Sequence, residues 1–237
     1  MIDGEHKRSF VTGETNCNIT ADSESAINVA ISSIENHKRQ LLRFIKSHPR
    51  FLYSFEPVEV DEGPAIARLM ADAAKKAEVG PMAAVAGVLA ELAVENMVLK
   101  GAEVAIVENG GEVSAFSKRP IDVALLAGRS FPSKRLGFRL DHFPIGIATS
   151  SGIYSHAFSF GDAEAVTIFA SNSGLADAAA TSVCNIISGN DPQKAIDKGI
   201  RRALSISGVK GVFILYKSLI GRSGQIPKII KILPEKE

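Results

Sequence analysis

The stretch from Val79 to Leu99 constrains the fold most. It is rich in Ala, and the only charges along it are Glu91 and Glu95. Pro81 suits the first turn of a helix and Gly101 suits the position just past its end, so the segment reads as one helix. A helix that is apolar on most of its circumference cannot lie on a protein surface. Two acids and a high Ala content suit a membrane span poorly. The helix is therefore expected inside the molecule, between a sheet and other helices.

The rest of the chain supplies those partners. Arg8 to Ile19 reads as a strand. Asp22 and Ser23 then cap a helix in which Ile27, Ile31, Ile34, Leu41, Leu42 and Ile45 recur at helical period, and Pro49 ends it. Phe51 to Val60 reads as a second strand, and Pro64 opens a helix carrying Ile66, Leu69, Met70 and Ala73. From Ala102 the texture turns to β. Ala102 to Glu108, Glu112 to Phe116 and Ile121 to Leu126 are short strands, with Asn109-Gly110-Gly111 as a hairpin turn between the first two. Gly137 to Leu140, Ile145 to Thr149 and Ala165 to Ala170 continue the series. A helix then begins near Gly174, another runs from Pro192 to Leu204, and Val212 to Tyr216 with Lys228 to Leu233 form a closing pair. Clustered strands with short connections predict an α+β fold with a mixed, mostly antiparallel sheet flanked by helices. No low-complexity linker divides the 237 residues, so residues 1–237 are expected to form one domain.

Composition narrows the function classes. With 27 Lys and Arg against 26 Asp and Glu, the net charge of +1 creates no field to attract nucleic acid or an anionic membrane. Two cysteines, Cys17 and Cys184, make neither a disulfide framework nor a zinc site, and the N-terminus carries no apolar signal region. The expectation is a cytoplasmic protein bound neither to nucleic acid nor to a membrane. A sheet with exposed edges in this size class is compatible with a homodimer.

Three segments carry residues suited to chemistry. In Glu108-Asn109-Gly110-Gly111-Glu112, the glycine pair allows positive φ and lets backbone approach a bulky ligand, although a plain hairpin needs the same residues. In Ala148-Thr149-Ser150-Ser151-Gly152-Ile153-Tyr154-Ser155-His156, the hydroxyls and the Ser150 to Gly152 backbone make a candidate phosphate cradle, or else a polar turn. Tyr154 offers a ring to stack on a flat cofactor, and His156 is a candidate for proton transfer. In Asn172-Ser173-Gly174-Leu175-Ala176-Asp177-Ala178-Ala179-Ala180-Thr181, Asp177 and Thr181 stand four apart on one helical face. They can aim two oxygens at one hard divalent cation such as Mg2+. The alternative is that Asp177 complements the positive start of its helix while Thr181 packs.

Taken in order, a Gly-Gly turn after a buried strand, a Thr-Ser-Ser-Gly-x-Tyr segment and an Ala-Asp-x-x-x-Thr helix start resemble the ApbE family, the flavin transferases that attach FMN from FAD to proteins. The resemblance spans about Pro81 to Gly189 and implies an ApbE-like fold related to the T-fold. It implies that Asp177 and Thr181 hold the Mg2+ that sits on the FAD pyrophosphate. Gly110 and Gly111 match the family's glycine pair, and Ser151, Gly152 and Tyr154 match its Ser-Gly-x-Tyr element. The family's His-x-x-Asp-Pro-x-x-Gly segment is absent from the interval Ser155 to Glu164, so His156 carries no role over from it. The Lys-Gly-Tyr element ahead of the Gly-Gly strand is replaced by Val79-Gly80-Pro81-Met82-Ala83-Ala84-Val85-Ala86-Gly87. With these departures the chain looks closer to an uncharacterised prokaryotic family that shares the fold. The resemblance implies Mg2+ and FAD or a related nucleotide as ligands, with FMN or nucleotidyl transfer to an acceptor protein, or pyrophosphate hydrolysis, as the chemistry. The alternatives are a flavin- or nucleotide-binding module without catalysis and a scaffold that keeps only the fold.

Overall fold

The computed structural model describes residues 5–124, 136–153 and 160–231. Two strands, β1 (His6–Thr12) and β2 (Thr15–Ala21), are followed by helices α1 (Glu24–Ser47), α2 (Pro49–Tyr53) and α3 (Ala65–Ala77). A 3-10 turn at Pro81–Ala84 runs into α4 (Val85–Leu99). Then come β3 (Val104–Asn109), β4 (Glu112–Ser117), β5 (Ile121–Ala124), β6 (Leu136–Leu140), β7 (Ile145–Ser150) and β8 (Ala165–Ala170). Helices α5 (Ser173–Cys184) and α6 (Pro192–Ser205) precede β9 (Val209–Tyr216), β10 (Leu219–Gly224) and β11 (Lys228–Lys231).

Eight strands form one sheet in the order β1-β2-β3-β4-β7-β8-β9-β10, and β11-β6-β5 form a smaller one. All pairings among the described residues are antiparallel. The helices cover one face of the large sheet, and the small sheet covers β4, β7, β8 and β9 on the other. Strand β8 shows why: all 6 of its residues are buried. Val166, Ile168 and Ala170 turn to the helices, whereas Ala165 and Phe169 turn to Phe138 and Leu140 of the small sheet. A strand covered on both faces must read as a continuous apolar run.

Helix α4 lies where its sequence demands. Val88, Leu89 and Leu92 pack into a cluster with α3 and α5, while Ala90, Ala93, Val94 and Met97 pack against α1, β2 and β3. By length and composition Pro81–Leu99 could cross a bilayer, but its apolar surface is consumed by neighbours on opposite sides.

Several sequence expectations need correction. Arg8 to Ile19 is a hairpin, with Gly13 (φ +58°) allowing the reversal between β1 and β2. Phe51 to Val60 is not a strand. Pro49 starts the single-turn helix α2, and Phe51 buries edge-on against Phe44 with ring centroids 5.3 Å apart, so local aromatic and β-branched content yields to one tertiary contact. The segment Lys228 to Lys231 pairs with β6, and β9 lies instead between β8 and β10, the latter a mostly exposed edge strand that the sequence does not announce.

Candidate functional site

Strand β8 delivers the chain into α5, which Asn172 caps by accepting the Leu175 N–H at 2.9 Å. The first turn of α5 is wedged between β7 and α4, and a glycine stands at each contact. A Cβ on Gly146 would lie 2.1 Å from the Asn172 carbonyl carbon, and one on Gly87 would lie 2.2 Å from Ser173 O. With the backbones this close, the two helices exchange carboxylates. Asp177 of α5 accepts the Gly87 N–H at 2.9 Å, and Glu91 of α4 accepts the Gly174 N–H at 3.0 Å. Ser173 Oγ adds a 2.7 Å bond to Gly87 O. Each acid thereby satisfies an otherwise orphaned N–H at the start of the opposite helix, where the dipole favours negative charge.

The β3–β4 hairpin reaches the same region. Gly110 and Gly111 both have positive φ (68° and 115°), as a two-residue primed turn between paired Asn109 and Glu112 requires. Asn109 Nδ2 donates to Ala86 O at 3.0 Å and so ties the hairpin to the start of α4. Between hairpin, α4, α5 and the Leu52–Phe55 segment opens a cleft of about 630 Å³. Gly110, Glu112, Ala86, Asp177, Thr181 and Asn185 supply much of its polar wall.

The electrostatics of this wall are unusual. Burial pushes the Asp177 carboxyl up from 3.8 to about 7, against the opposing pull of the Gly87 and Ala86 N–H groups. Burial also drives the Glu112 carboxyl well above its ordinary value, and the nearby Asp177 charge raises it further. Among the described residues that line the cleft there is no Lys, Arg or His. Two adjacent carboxyls with no cationic side chain between them are a pair that a divalent cation would relieve.

The donor set bears on which cation. No group of three or more His, Cys, Asp or Glu could hold a metal among the described residues. The protein therefore offers one or two carboxylates, the Thr181 hydroxyl and backbone carbonyls. That is the pattern by which Mg2+ is bound when phosphate oxygens and water complete its shell.

Of the residues singled out from sequence, the structure brings Asp177, Thr181 and Gly110 to one cleft. Gly111 is not on its wall and donates its N–H to Glu108 Oε1 at 3.0 Å. Ser150, Ser151 and Gly152 also lie off the wall. Ser150 is paired with Val166 in the sheet, Ser151 Oγ donates to Ala163 O at 3.4 Å, and the Gly152 N–H donates to the same oxygen at 3.0 Å. Gly152 answers a packing need, since a Cβ there would meet Gly161 O at 1.8 Å. Tyr154 and His156 lie outside the described residues. Sequence reasoning missed Glu112 and the ring-bearing residues Tyr53, Phe55 and Phe160 on the cleft. Glu112 had a signal, its place directly after the glycine pair.

The family described as AbpE bacteria matches residues 1–206. The chain belongs to that family. It is similar to the UPF0280 protein of Methanocaldococcus jannaschii, with 39% identity over 230 residues covering 95% of this chain and 93% of the relative. A UPF0280 protein of Methanothermobacter thermautotrophicus is 39% identical over 224 residues, covering 93% and 86%. Among solved structures, this AbpE family member resembles the ApbE protein of Thermotoga maritima (TM-score 0.63, 17% identity, 92% of this chain and 97% of that one). It also resembles the flavinyl transferase ApbE of Pseudomonas stutzeri in its apo form (TM-score 0.60, 14% identity, 94% and 96%). At such identities the likeness concerns the fold, and the fold is ApbE-like with a mostly antiparallel sheet flanked by helices.

Proposed function

We propose that this protein binds a flavin or related nucleotide through Mg2+ in the cleft beside α5, and that it transfers an FMN or nucleotidyl group or hydrolyses the pyrophosphate. The observation that carries the reading is the meeting of Asp177, Thr181, Glu112 and the Gly110 turn in one cleft whose described wall has no cationic side chain. Once ionised, the two carboxyls would repel a pyrophosphate, and a metal bound to them would offset that charge. Asp177 and Thr181 would hold that metal, with Glu112 adding a second acid to the same cleft. Bound there, Mg2+ would neutralise phosphate oxygens and make phosphorus easier to attack. The chain's own residues position. Asp177 is anchored by the Gly87 N–H, and the glycine contacts at Gly87 and Gly146 fix the start of α5. In such chemistry, positioning and electrostatics carry most of the rate. Attack by an acceptor hydroxyl on the FMN phosphorus of FAD would release AMP, and attack by water would release FMN and AMP. Support for transfer comes from the Pseudomonas stutzeri neighbour, a flavinyl transferase by name.

A second reading is favoured by the interval Ser155 to Glu164, which lacks the family's His-x-x-Asp-Pro-x-x-Gly segment. It makes the protein a binder without catalysis. Incubation with FAD and Mg2+, followed by chromatography for AMP, separates the two, since a binder releases none. For the site itself, calorimetry of Asp177→Ala should show loss of Mg2+-dependent FAD binding. Unchanged affinity in that variant would overturn the assignment.

A further inference from the structure

Among the described residues the large sheet ends in two free edges, β1 and β10. Edge strands expose unpaired backbone groups, and folded proteins protect them with charge, proline, bulges or a covering segment. Strand β1 is protected. His6, Lys7 and Arg8 put charge along it, and Arg8 is tied to α1 by an ion pair with Glu24 and a 2.8 Å bond to Asn28 Oδ1. Strand β10, Leu219-Ile220-Gly221-Arg222-Ser223-Gly224, has one charge and no proline. Its pairing to β9 runs without a bulge, and Leu219 and Ile220 stay 42% and 54% exposed.

This edge is built before any partner arrives. Lys217 and Ser218, with φ of 48° and 65°, make the two-residue primed turn that joins β9 to β10. In such a hairpin the residues flanking the turn, Tyr216 and Leu219, are a hydrogen-bonded pair, and bonded pairs then alternate with unbonded ones. Leu219, Gly221 and Ser223 therefore bond inward to β9. Ile220 and Arg222 turn their N–H and C=O groups outward. The far end keeps the same alternation, since the Gln225 N–H donates to Lys210 O at 2.7 Å. Helix α6 braces the strand from one face, and a Cβ on Gly221 would meet Ile196 Cγ2 at 2.0 Å.

Positive charge is gathered beside the same edge. The whole chain is nearly neutral at +1, yet between Pro192 and Gly224 it carries seven Lys and Arg against one acid, Asp197. Asp197 is engaged by Gln193 Nε2 at 3.0 Å. Lys194, Lys198, Arg201 and Arg222 are exposed, and none of them has an ion pair among the described residues. Leu204 of α6, 44% exposed, adds a third apolar side chain. We propose that β10 takes up an extended peptide of alternating acidic and apolar residues as a ninth strand. Its backbone pairs with Ile220 and Arg222, its apolar side chains cover Leu219 and Ile220, and its acids meet Arg222 and the cations of α6. Nucleic acid suits the charge but not the surface, because the rings of β9, Phe213 and Tyr216, are buried and offer no base a face to stack on. A second copy suits it less, because two-fold pairing of β10 with itself brings two basic α6 helices together. The edge and the cleft beside α5 are separate sites, so neither reading depends on the other.

The test uses the full chain and a synthetic probe of alternating Glu and Val, acetylated and amidated at its ends, beside a Lys and Val counterpart and an oligothymidylate. Calorimetry should show the acidic probe binding in a salt-sensitive way and the basic counterpart not binding. Amide hydrogen exchange should slow at Ile220 and Arg222, whose N–H groups face outward, and stay unchanged at Leu219 and Gly221. A contact made by charge alone would not produce that alternation. The double variant Arg201→Glu, Arg222→Glu, checked for an unchanged thermal transition, should weaken the probe by roughly ten-fold or more. Ile220→Pro removes an outward donor without touching the β9 ladder and should abolish binding. If the acidic probe does not bind, or binds and leaves exchange at Ile220 and Arg222 unchanged, the proposal is overturned. Oligothymidylate binding that needs the same arginines, without probe binding, assigns the patch to nucleic acid and overturns it as well. So does a dimer, detected by sedimentation, whose formation protects the same two amides.

Discussion

Replacing Asp177 by asparagine should make the metal-free protein more stable above neutral pH, although the side chain lies at the centre of the candidate site. The Asp177 carboxyl is raised from 3.8 to about 7 by burial. A carboxyl whose folded pKa lies above its unfolded value holds its proton in the native state after the unfolded chain has lost it. Stability from this group is therefore full below about pH 4 and is lost progressively as pH rises to about 7. At 1.36 kcal/mol per pKa unit, the full loss is about 4 kcal/mol, of which about 2 kcal/mol falls between pH 5 and pH 7. These are ceilings, because Asp177 is only half-buried by exposure and local relaxation reduces the cost. Asparagine keeps the size and an oxygen for the Gly87 N–H, but it never ionises. The free-energy difference between Asp177→Asn and wild type, from urea unfolding in EDTA, should grow by about 1–3 kcal/mol in favour of the variant between pH 5 and pH 8. The presence of Glu112 reinforces the sign, since the variant no longer ionises two neighbouring acids. Excess Mg2+ at pH 8 should then stabilise the wild type and leave the variant unmoved. A pH-independent difference, or a variant less stable at pH 8, would refute the reasoning and leave Asp177 as an ionised helix cap.

Two further outcomes follow from the same geometry. Mg2+ affinity of the wild type should rise about ten-fold between pH 6 and pH 8 as Asp177 ionises through about 7, by calorimetry in the absence of nucleotide, and a flat profile would remove this carboxylate from the ligand set. Gly87→Ala should destabilise by about 2 kcal/mol or more in urea unfolding, because the added methyl meets Ser173 backbone at 2.2 Å and the Asp177 Cβ at 2.8 Å. Unchanged stability there would mean that α4 and α5 can separate freely, contrary to the carboxylate exchange.

Much of the architecture was legible from local pattern. An all-round apolar α4, a continuous apolar β8 and an Asn-Gly-Gly hairpin each follow from a period or a turn residue that needs no distant partner. What was not legible has one cause. Phe51 to Val60 has strand-like composition, but Phe51 found Phe44, and the rings after it were left at the rim of a cleft. The Ser150 to Gly152 turn reads equally as a phosphate cradle or a polar turn because hydroxyls and glycine serve either purpose, and the closeness of Gly161 shows a packing need that Gly152 meets.

By itself the sequence determined that Asp177 and Thr181 share one helical face behind a capped start, because a spacing of four is a property of the helix alone. Only the tertiary structure decided that Glu112 faces the same cleft, that Asp177 and Glu91 are exchanged between two helix starts, and that three exposed rings converge beside them. Those features depend on distances between elements far apart in the chain, and on the water that packing removes from around a carboxylate. No local repeat records either.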